Sequence, residues 1–180
     1  MKSTKCILFL SFLLLFIGSC NKKPNANEQI IRAWTGKEMM IPDTIHYKIL
    51  GQDTICSDLW DRPYKILTYV DSIGCTGCQL DLYSWKLLMD SCFEVQPHIG
   101  LLFVVCSSDY DFFEQALADY EFNYPIIYDR QNLFDQLNHF PPKPFRTFLL
   151  DKNNKVLLVG SPINSPKMWN LYKKMLTRVH

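Results

Sequence analysis

Two cysteines, Cys75 and Cys78, stand three positions apart and enclose Thr76 and Gly77. At this spacing a thiolate on the first cysteine can attack a disulfide, and the second can displace the mixed disulfide that forms. The same spacing fits a passive staple or half of a zinc site. A closed zinc site needs four ligands, and the four histidines of the chain are scattered singly. The sequence therefore predicts no metal and favours a redox pair.

The pair lies between a predicted strand and a predicted helix. Residues 66–70 are apolar and β-favouring, as in a buried strand. The helical pattern that follows the pair places four apolar side chains on one face: Leu80, Tyr83, Leu87 and Leu88. Strand, loop and CxxC at a helix start is a redox context. A helix that begins at the pair would stabilise a thiolate at Cys75, because its N-terminus carries partial positive charge and unpaired N–H groups.

The rest of the chain alternates strand and helix patterns. Strands are predicted at 39–42, 45–50, 99–106, 125–128, 145–150 and 155–159, and helices within 112–120, 133–137 and 165–176. Ser165 and Pro166 fit the start of the last helix, with serine as the cap and proline at the first helical position. Such alternation requires mostly parallel pairing, and the late hairpin adds antiparallel strands. We therefore predict an α/β fold with a mixed central sheet and helices on both faces.

The first 19 residues resemble an export signal. Residues 1–5 are short and basic, and residues 6–17 form an apolar stretch too short to span a bilayer as a helix. The ending before Cys20 resembles a bacterial lipobox, which implies cleavage there and lipid attachment to Cys20. An ordinary secretory signal with a chance cysteine is the alternative. The predicted organisation is a signal peptide at 1–19, a lipid-anchored tether at 20–38 and a folded domain at 39–180.

Charge and composition exclude several classes of protein. Removal of residues 1–19 leaves 161 of the 180 residues, with 17 basic against 18 acidic side chains. A balance this close to zero gives no long-range attraction to nucleic acid. Hydrophobic residues make up 48% and aromatic residues 14% of the sequence, which indicates a single folded domain with a sizeable core.

With these elements in order, the sequence resembles the thioredoxin-like fold. It is most similar to membrane-anchored thiol–disulfide oxidoreductases and alkyl-hydroperoxide-reductase-related proteins of the bacterial envelope. The matching features are the strand–CxxC–helix segment 64–90, the strand 99–106 and the hairpin 147–160, TFLLDKNNKVLLVG. The resemblance covers 39–180 and implies a three-layer sandwich that works without a cofactor. It also implies that Cys75 attacks the substrate and Cys78 resolves the mixed disulfide.

Two departures from the family lie at the pair itself. Gly74 replaces the tryptophan that commonly precedes the first cysteine. Thr76 and Gly77 replace the usual Gly-Pro or Pro-Pro between the cysteines, which shifts the reduction potential.

A third departure lies before the hairpin strand. The family has a cis-proline there, facing the disulfide. Alignment of the hairpin puts Phe145 at that position and Pro144 one residue earlier, so these two residues are the candidates for a facing loop. Arg146 resembles in position an arginine that peroxidatic enzymes use to polarise peroxide. Strand alternation would instead leave Arg146 on the surface.

The leading functional hypothesis is a lipid-anchored thiol–disulfide oxidoreductase, a monomer that acts on protein thiols and disulfides of the envelope. No acidic cluster follows Cys20, which favours the periplasmic face of the outer membrane. One alternative is a peroxide reductase, because Ser72 stands three residues before Cys75 as in peroxidatic loops, although Thr68 replaces their proline. The other alternative is a non-enzymatic thioredoxin-fold lipoprotein that serves as a binding or assembly module.

The remaining polar and sulfur side chains leave alternatives open. Asp71 and Ser72 are candidates for hydrogen bonding or proton transfer near the pair, or for turn formation. Cys92 and Cys106 are expected to be small buried core residues. A second disulfide among them, or with Cys56, is the alternative.

Overall fold

The computed structural model describes residues 24–71 and 81–177. Within them the strands are β1 (Tyr47–Ile49), β2 (Gln52–Thr54), β3 (Tyr64–Asp71), β4 (Ile99–Cys106), β5 (Ile126–Tyr128), β6 (Thr147–Asp151) and β7 (Val156–Val159). The α-helices are α1 (Ala26–Trp34), α2 (Leu82–Val95), α3 (Tyr110–Asp119), α4 (Leu133–Asn138) and α5 (Pro166–Leu176). A 3₁₀ helix, Ser57–Asp61, precedes β3. No helix in these two ranges is long and apolar enough to span a membrane.

The strands form one mixed sheet in the order β2-β1-β5-β4-β3-β6-β7. Neighbouring β3, β4 and β5 run parallel, whereas β6 pairs antiparallel with β3 and β7. Because β3, β4 and β5 run the same way, their carboxyl ends meet at one edge of the sheet. The register places Asp71, the last residue of β3, directly beside Cys106, the last residue of β4. The predicted mixed sheet is confirmed.

Helices cover both faces of the sheet. One core lies between the sheet and α2, α3 and α5, with Trp85, Phe113 and Tyr172 among its buried side chains. The other lies beneath α1, the 3₁₀ helix and α4, where Trp34 and Phe134 are buried. Successive strand residues alternate between these cores, as the pleat requires. The expected thioredoxin-like three-layer sandwich is confirmed.

Helix α1 lies within the segment 20–38 that the sequence predicts as a tether. A capping box between Asn25 and Glu28 begins α1, which satisfies backbone N–H groups at the helix start. Trp34 is 7% exposed and stacks on Phe148 with ring centroids 4.8 Å apart. Burial of Trp34 therefore attaches α1 to the sheet.

The segment after α1 is held by backbone hydrogen bonds to residues 154–156 and by a side chain of α4. The Asn138 side chain is fully buried and bonds both the N–H and the C=O of Met40, each at 2.8 Å. The strand predicted at 39–42 is absent from this described segment, which makes only an isolated bridge between Glu38 and Lys155. A side-chain amide thus provides the hydrogen bonds that a neighbouring strand would have provided.

The buried face of α2 differs from the prediction. Leu88 is buried as expected, but Tyr83 and Leu87 are 61% and 50% exposed. The residues that face the core are Leu82, Trp85, Leu88, Met89 and Cys92. The stripe predicted from the sequence is therefore rotated about the helix axis, because the large Trp85 side chain sets which face packs on Phe103.

Candidate active site at the carboxyl end of the central strands

The predicted redox pair and the predicted lipidation site lie outside the described residues. Cys75 and Cys78 fall between Asp71, the last residue of β3, and Asp81, and Cys20 precedes residue 24. The described helix α2 begins at Leu82, four positions after Cys78. Its N-cap is Asp81, whose carboxylate accepts a hydrogen bond from the N–H of Ser84 at 3.2 Å. The predicted helix start at the pair itself lies outside the described residues.

Asp71 ends β3 in a cluster of opposite charge. Its side chain is 15% exposed, and its Oδ1 lies 3.2 Å from the Nζ of Lys143. Its Oδ2 accepts a hydrogen bond from Nη1 of Arg146. Burial alone would raise the pKa of Asp71, but the hydrogen bonds and charges of Arg146 and Lys143 outweigh it and hold that pKa below its usual value. Asp71 is therefore a carboxylate at neutral pH.

Arg146 is mostly buried, so its predicted place on the surface is wrong. Its side chain is 20% exposed, and Nε donates to the carbonyl of Pro141 at 2.8 Å. The guanidinium carbon lies 5.5 Å from the ring centre of Tyr69, within the range of a cation–π contact. The sequence pattern failed here because Arg146 precedes β6, where the chain is still a loop and strand alternation does not apply.

The two candidates for the facing loop differ in their surroundings. The peptide bond between Lys143 and Pro144 is cis. Pro144 is exposed, whereas Phe145 is partly buried against the core beneath α1 and α4. The cis-proline of this loop is thus Pro144, one residue before the position that alignment of the hairpin indicates. That Pro144 faces the cysteine pair stays a prediction.

A second polar group, which sequence reasoning missed, adjoins Asp71 at the end of β4. The Tyr69 hydroxyl donates to the side-chain oxygen of Asn132, and Asp129 caps α4 by accepting from the N–H groups of Leu133 and Phe134. Cys106 lies in the same place and is partly exposed. The signal that could have found this group is strand order, because the ends of adjacent parallel strands must meet.

The environment of Cys106 disfavours its thiolate. Burial raises the pKa of its thiol, and the carboxylates of Asp129, Asp71 and Asp135 raise it further, against a smaller lowering effect of the nearby Tyr69 hydroxyl. A thiol that stays protonated at neutral pH is a poor nucleophile. Cys106 is therefore a poor candidate for the nucleophile of this site.

The three described cysteines are all free thiols: Cys56, Cys92 and Cys106. Cys92 is fully buried, and burial raises its pKa to about 12. The expectation of a small buried core residue is confirmed for Cys92, whereas Cys106 is only partly buried. The alternative of a second disulfide among these three is wrong. In the same described ranges, no cluster of three or more His, Cys, Asp or Glu side chains is arranged to hold a metal ion.

Comparison with solved structures gives the same fold. The chain is similar to the thioredoxin domain of a thiol-disulfide oxidoreductase from Bacteroides vulgatus, with a TM-score of 0.58 and 13% identity over 79% of this chain and 97% of that one. It is also similar to a protein from Chlorobium tepidum named thiol:disulfide interchange protein DsbE, with a TM-score of 0.60, 17% identity and coverages of 79% and 97%. A thiol:disulfide interchange protein from Bacteroides sp. gives a TM-score of 0.57 at 10% identity, with coverages of 79% and 92%.

These similarities define the fold class of the chain. No protein-family model matches the sequence, and no curated protein matches it. At identities this low the neighbours establish architecture alone, since one fold hosts many functions. The protein has a thioredoxin-like fold, and its activity must be argued from its own residues.

Proposed function

We propose that the protein is a thiol–disulfide oxidoreductase that acts on protein disulfides or dithiols through Cys75 and Cys78. The observation that carries the proposal is the position of the pair: Cys75 follows the last residue of the central strand β3 by four positions. That strand end lies beside the loop 141–146 through Asp71, Lys143 and Arg146. Ligand and reaction sites of α/β sheets commonly lie outside the carboxyl ends of parallel strands.

The proposed reaction moves two electrons from the pair to the substrate. The Cys75 thiolate attacks one sulfur of a substrate disulfide, and the substrate S–S bond breaks to release one substrate thiolate. Cys75 then holds the other substrate sulfur as a mixed disulfide. The Cys78 thiolate attacks the Cys75 sulfur, expels the second substrate thiolate and leaves a Cys75–Cys78 disulfide. The released thiolates take up protons from solvent. In reverse, the oxidised pair oxidises a dithiol.

The polar groups at the strand end favour a disulfide over a peroxide as the substrate. A peroxide reductase needs donors aimed at the peroxide oxygen on which charge develops. The Arg146 guanidinium instead faces the Asp71 carboxylate and the Pro141 carbonyl. Peroxide reduction is therefore the competing function, and a peroxide-consumption assay with and without Cys75 separates the two.

The proposal extends to the location of the protein. Lipid attachment at Cys20 would hold the domain at the periplasmic face of the outer membrane, where disulfides form and persist. The partners would then be envelope proteins with thiols or disulfides. With full-length protein made in a bacterial host, we expect the wild type to partition into detergent and Cys20→Ala to partition into the aqueous phase. Equal partitioning of the two would contradict the anchor without touching the redox proposal.

The test of the activity is turnover of a protein disulfide, such as reduction of insulin by the protein under a steady supply of dithiol. We expect Cys75→Ser to abolish turnover and Cys78→Ser to stop after one mixed disulfide. Cys56→Ser, at a partly exposed thiol outside the pair, is the matched control and should behave as wild type. Retention of the wild-type rate by both variants of the pair would overturn the proposal. A pair with a reduction potential well below that of the glutathione pool, and no turnover, would instead indicate a passive module.

A further inference from the structure

Helix α1 is attached to the sheet over its last turn and just beyond it. The buried ring of Trp34 stacks on Phe140 with ring centroids 5.8 Å apart. Two residues after Trp34, the N–H of Gly36 donates to the carbonyl of Val156 in β7 at 2.8 Å. Because the helix is fixed to the sheet by these contacts, α1 belongs to the folded body of the protein and moves with it.

The chain between Cys20 and this folded body is short. Cys20 precedes Pro24, the first described residue, by four positions. Even a fully extended chain of that length spans at most about 14 Å. A folded domain of about 150 residues has a radius of gyration of about 15 Å and is therefore about 40 Å across. A lipid on Cys20 would thus keep the start of α1 beside the bilayer, and the far side of the domain could not turn toward it.

The side of the sheet that α1 and α4 cover carries exposed apolar side chains. Ile31 of α1 is 39% exposed, Leu137 of α4 is 45% exposed, and Met40 is 52% exposed. Met40 adjoins Leu137, because the neighbouring Asn138 side chain bonds the Met40 backbone. Scattered apolar side chains are common on protein surfaces, but the short link to Cys20 would bring a lipid surface to these three. Apolar side chains of this kind enter the headgroup region of a bilayer.

The charge around the start of α1 also suits a phospholipid surface. Between Cys20 and Trp34 the chain has three basic residues, Lys22, Lys23 and Arg32, against one acidic residue, Glu28. The Glu28 carboxylate accepts a hydrogen bond from the N–H at the helix cap, whereas Arg32 is exposed to solvent. Basic side chains close to a bilayer are attracted to anionic phospholipids.

We propose that the side of the domain formed by α1 and α4 lies on the phospholipid surface, with Ile31, Met40 and Leu137 in contact with the headgroups. This inference rests on the lipid attachment that the proposed function includes, and it adds the orientation of the domain. Helices α2, α3 and α5 cover the opposite side of the sheet, so they face away from the lipid. A protein partner would therefore reach α2, which follows the cysteine pair in the chain, from the aqueous side.

The test is hydroxyl-radical footprinting of the lipid-modified protein, made from the full-length chain in a bacterial host. The protein is placed in nanodiscs of phosphatidylethanolamine and phosphatidylglycerol, and mass spectrometry measures oxidation residue by residue. Leu171 of α5 is the matched internal control, because it is the same residue type as Leu137 and is 48% exposed on the opposite side of the sheet. The measured quantity is the ratio of Leu137 oxidation to Leu171 oxidation.

The reference is a variant with a protease-cleavable Gly/Ser segment of about 20 residues inserted between Lys23 and Pro24. Cleavage after assembly releases the already folded domain into a solution that contains the same nanodiscs. We expect the Leu137 to Leu171 ratio of the anchored wild type to be about 3-fold lower than that of the released domain, because headgroups shield Leu137. Oxidation of Met40 should fall in the same way.

Two results would overturn the orientation while the proposed function stands. One is a wild type that copurifies with nanodiscs but has the ratio of the released domain. The other is protection of Leu171 instead of Leu137, which would place the α5 side on the lipid. A wild type that does not copurify with nanodiscs would overturn the lipid anchor and the orientation with it. Turnover that depends on Cys75 is measured separately and is unaffected by any of these outcomes.

Discussion

The two ends of β3 carry side chains of opposite charge on the same face of the sheet. Different kinds of groups bind these two side chains. Lys65, near the amino end, and Asp71, at the carboxyl end, both point toward the core beneath α1 and α4, since residues i and i+2 of a strand share a face. Lys65 is fully buried, and its Nζ donates to the backbone carbonyls of Trp60, Arg62 and Lys152 at 2.8, 3.2 and 3.1 Å. Asp71 is held by two side chains of one loop.

The difference lies in what must move for each charge to be released. Carbonyl groups shift only with their backbone, so Lys65 cannot be freed without local unfolding. The space beside it is also closed, because a Cβ at Gly100 would lie 3.3 Å from the Lys65 Cγ. Side chains such as Lys143 can rotate away while the sheet stays intact. The Lys65 end of β3 therefore serves the fold, whereas the side chains at the Asp71 end can rearrange while the sheet stays intact.

Removal of the buried cation should have the largest effect on stability. Lys65→Met keeps most of the volume but deprives three carbonyls of their donor, so we expect the free energy of unfolding to fall by about 3 kcal/mol. Chemical denaturation measures it, with the exposed Lys155→Met as the control. Turnover per folded molecule should stay at the wild-type value. A Lys65→Met protein as stable as wild type would show that the amino end is not a structural site.

The pH dependence of stability gives the second test of Lys65. Burial lowers its pKa to about 8 from 10.5, against the smaller raising effects of Asp151 and Asp61. Between these values the unfolded chain binds more protons than the folded one, so the free energy of unfolding rises with pH. Buried tyrosines, whose pKa is raised from 10.0 in the folded chain, lower the free energy of unfolding toward pH 10 in wild type and in Lys65→Met alike. We therefore expect the difference in stability between wild type and Lys65→Met to grow in favour of wild type by about 2 kcal/mol between pH 8 and 10. A difference that stays constant over this range would contradict the assignment.

At the carboxyl end the loss of stability should be smaller. Asp71→Asn removes the ion pairs of Asp71 with Lys143 and Arg146 but leaves the sheet in place. We therefore expect a decrease of about 1 kcal/mol in the free energy of unfolding at pH 7. The folded-state pKa of Asp71 is lowered, so its contribution is present above pH 3.8 and is lost as the pH falls below it. Urea titrations of wild type and Asp71→Asn should therefore converge toward acid pH. A difference that persisted once Asp71 is protonated would show that charge is not the cause.

The smallest expected effect is at the exposed ion pair beside the 3₁₀ helix. Asp58→Asn should change the free energy of unfolding by less than about 0.5 kcal/mol, because water screens the Arg62–Asp58 attraction. Thermal or urea unfolding checks it. A loss as large as that of Asp71→Asn would mean that burial does not set the strength of these pairs, and the contrast between the two ends of β3 would fail.

The mixed sheet could be predicted from the sequence, but the places of the charged side chains within it could not. The apolar runs of β3 and β4 and the 147–160 hairpin predicted the mixed sheet because long apolar strands have few other places to go. The burial of Lys65 could not be predicted from the sequence, since its three carbonyl partners come from two separate parts of the chain. The same limit applied to Arg146, whose burial depends on Asp71, 75 positions earlier. Trp34 was missed for a related reason, because its stacking partner Phe148 is contributed by the far hairpin.

Trapping of a mixed disulfide shows whether Cys75 is the nucleophile of this protein, as we propose. Reduced Cys78→Ser, mixed with a peptide that contains one disulfide, should acquire a single half-peptide on Cys75, found by mass spectrometry under non-reducing conditions. The three other described thiols serve as internal controls: Cys56, Cys92 and Cys106. Burial raises the pKa of Cys92 and of Cys106, so neither should react at neutral pH. An adduct spread over these cysteines, or found on them while Cys75 stays free, would contradict the account.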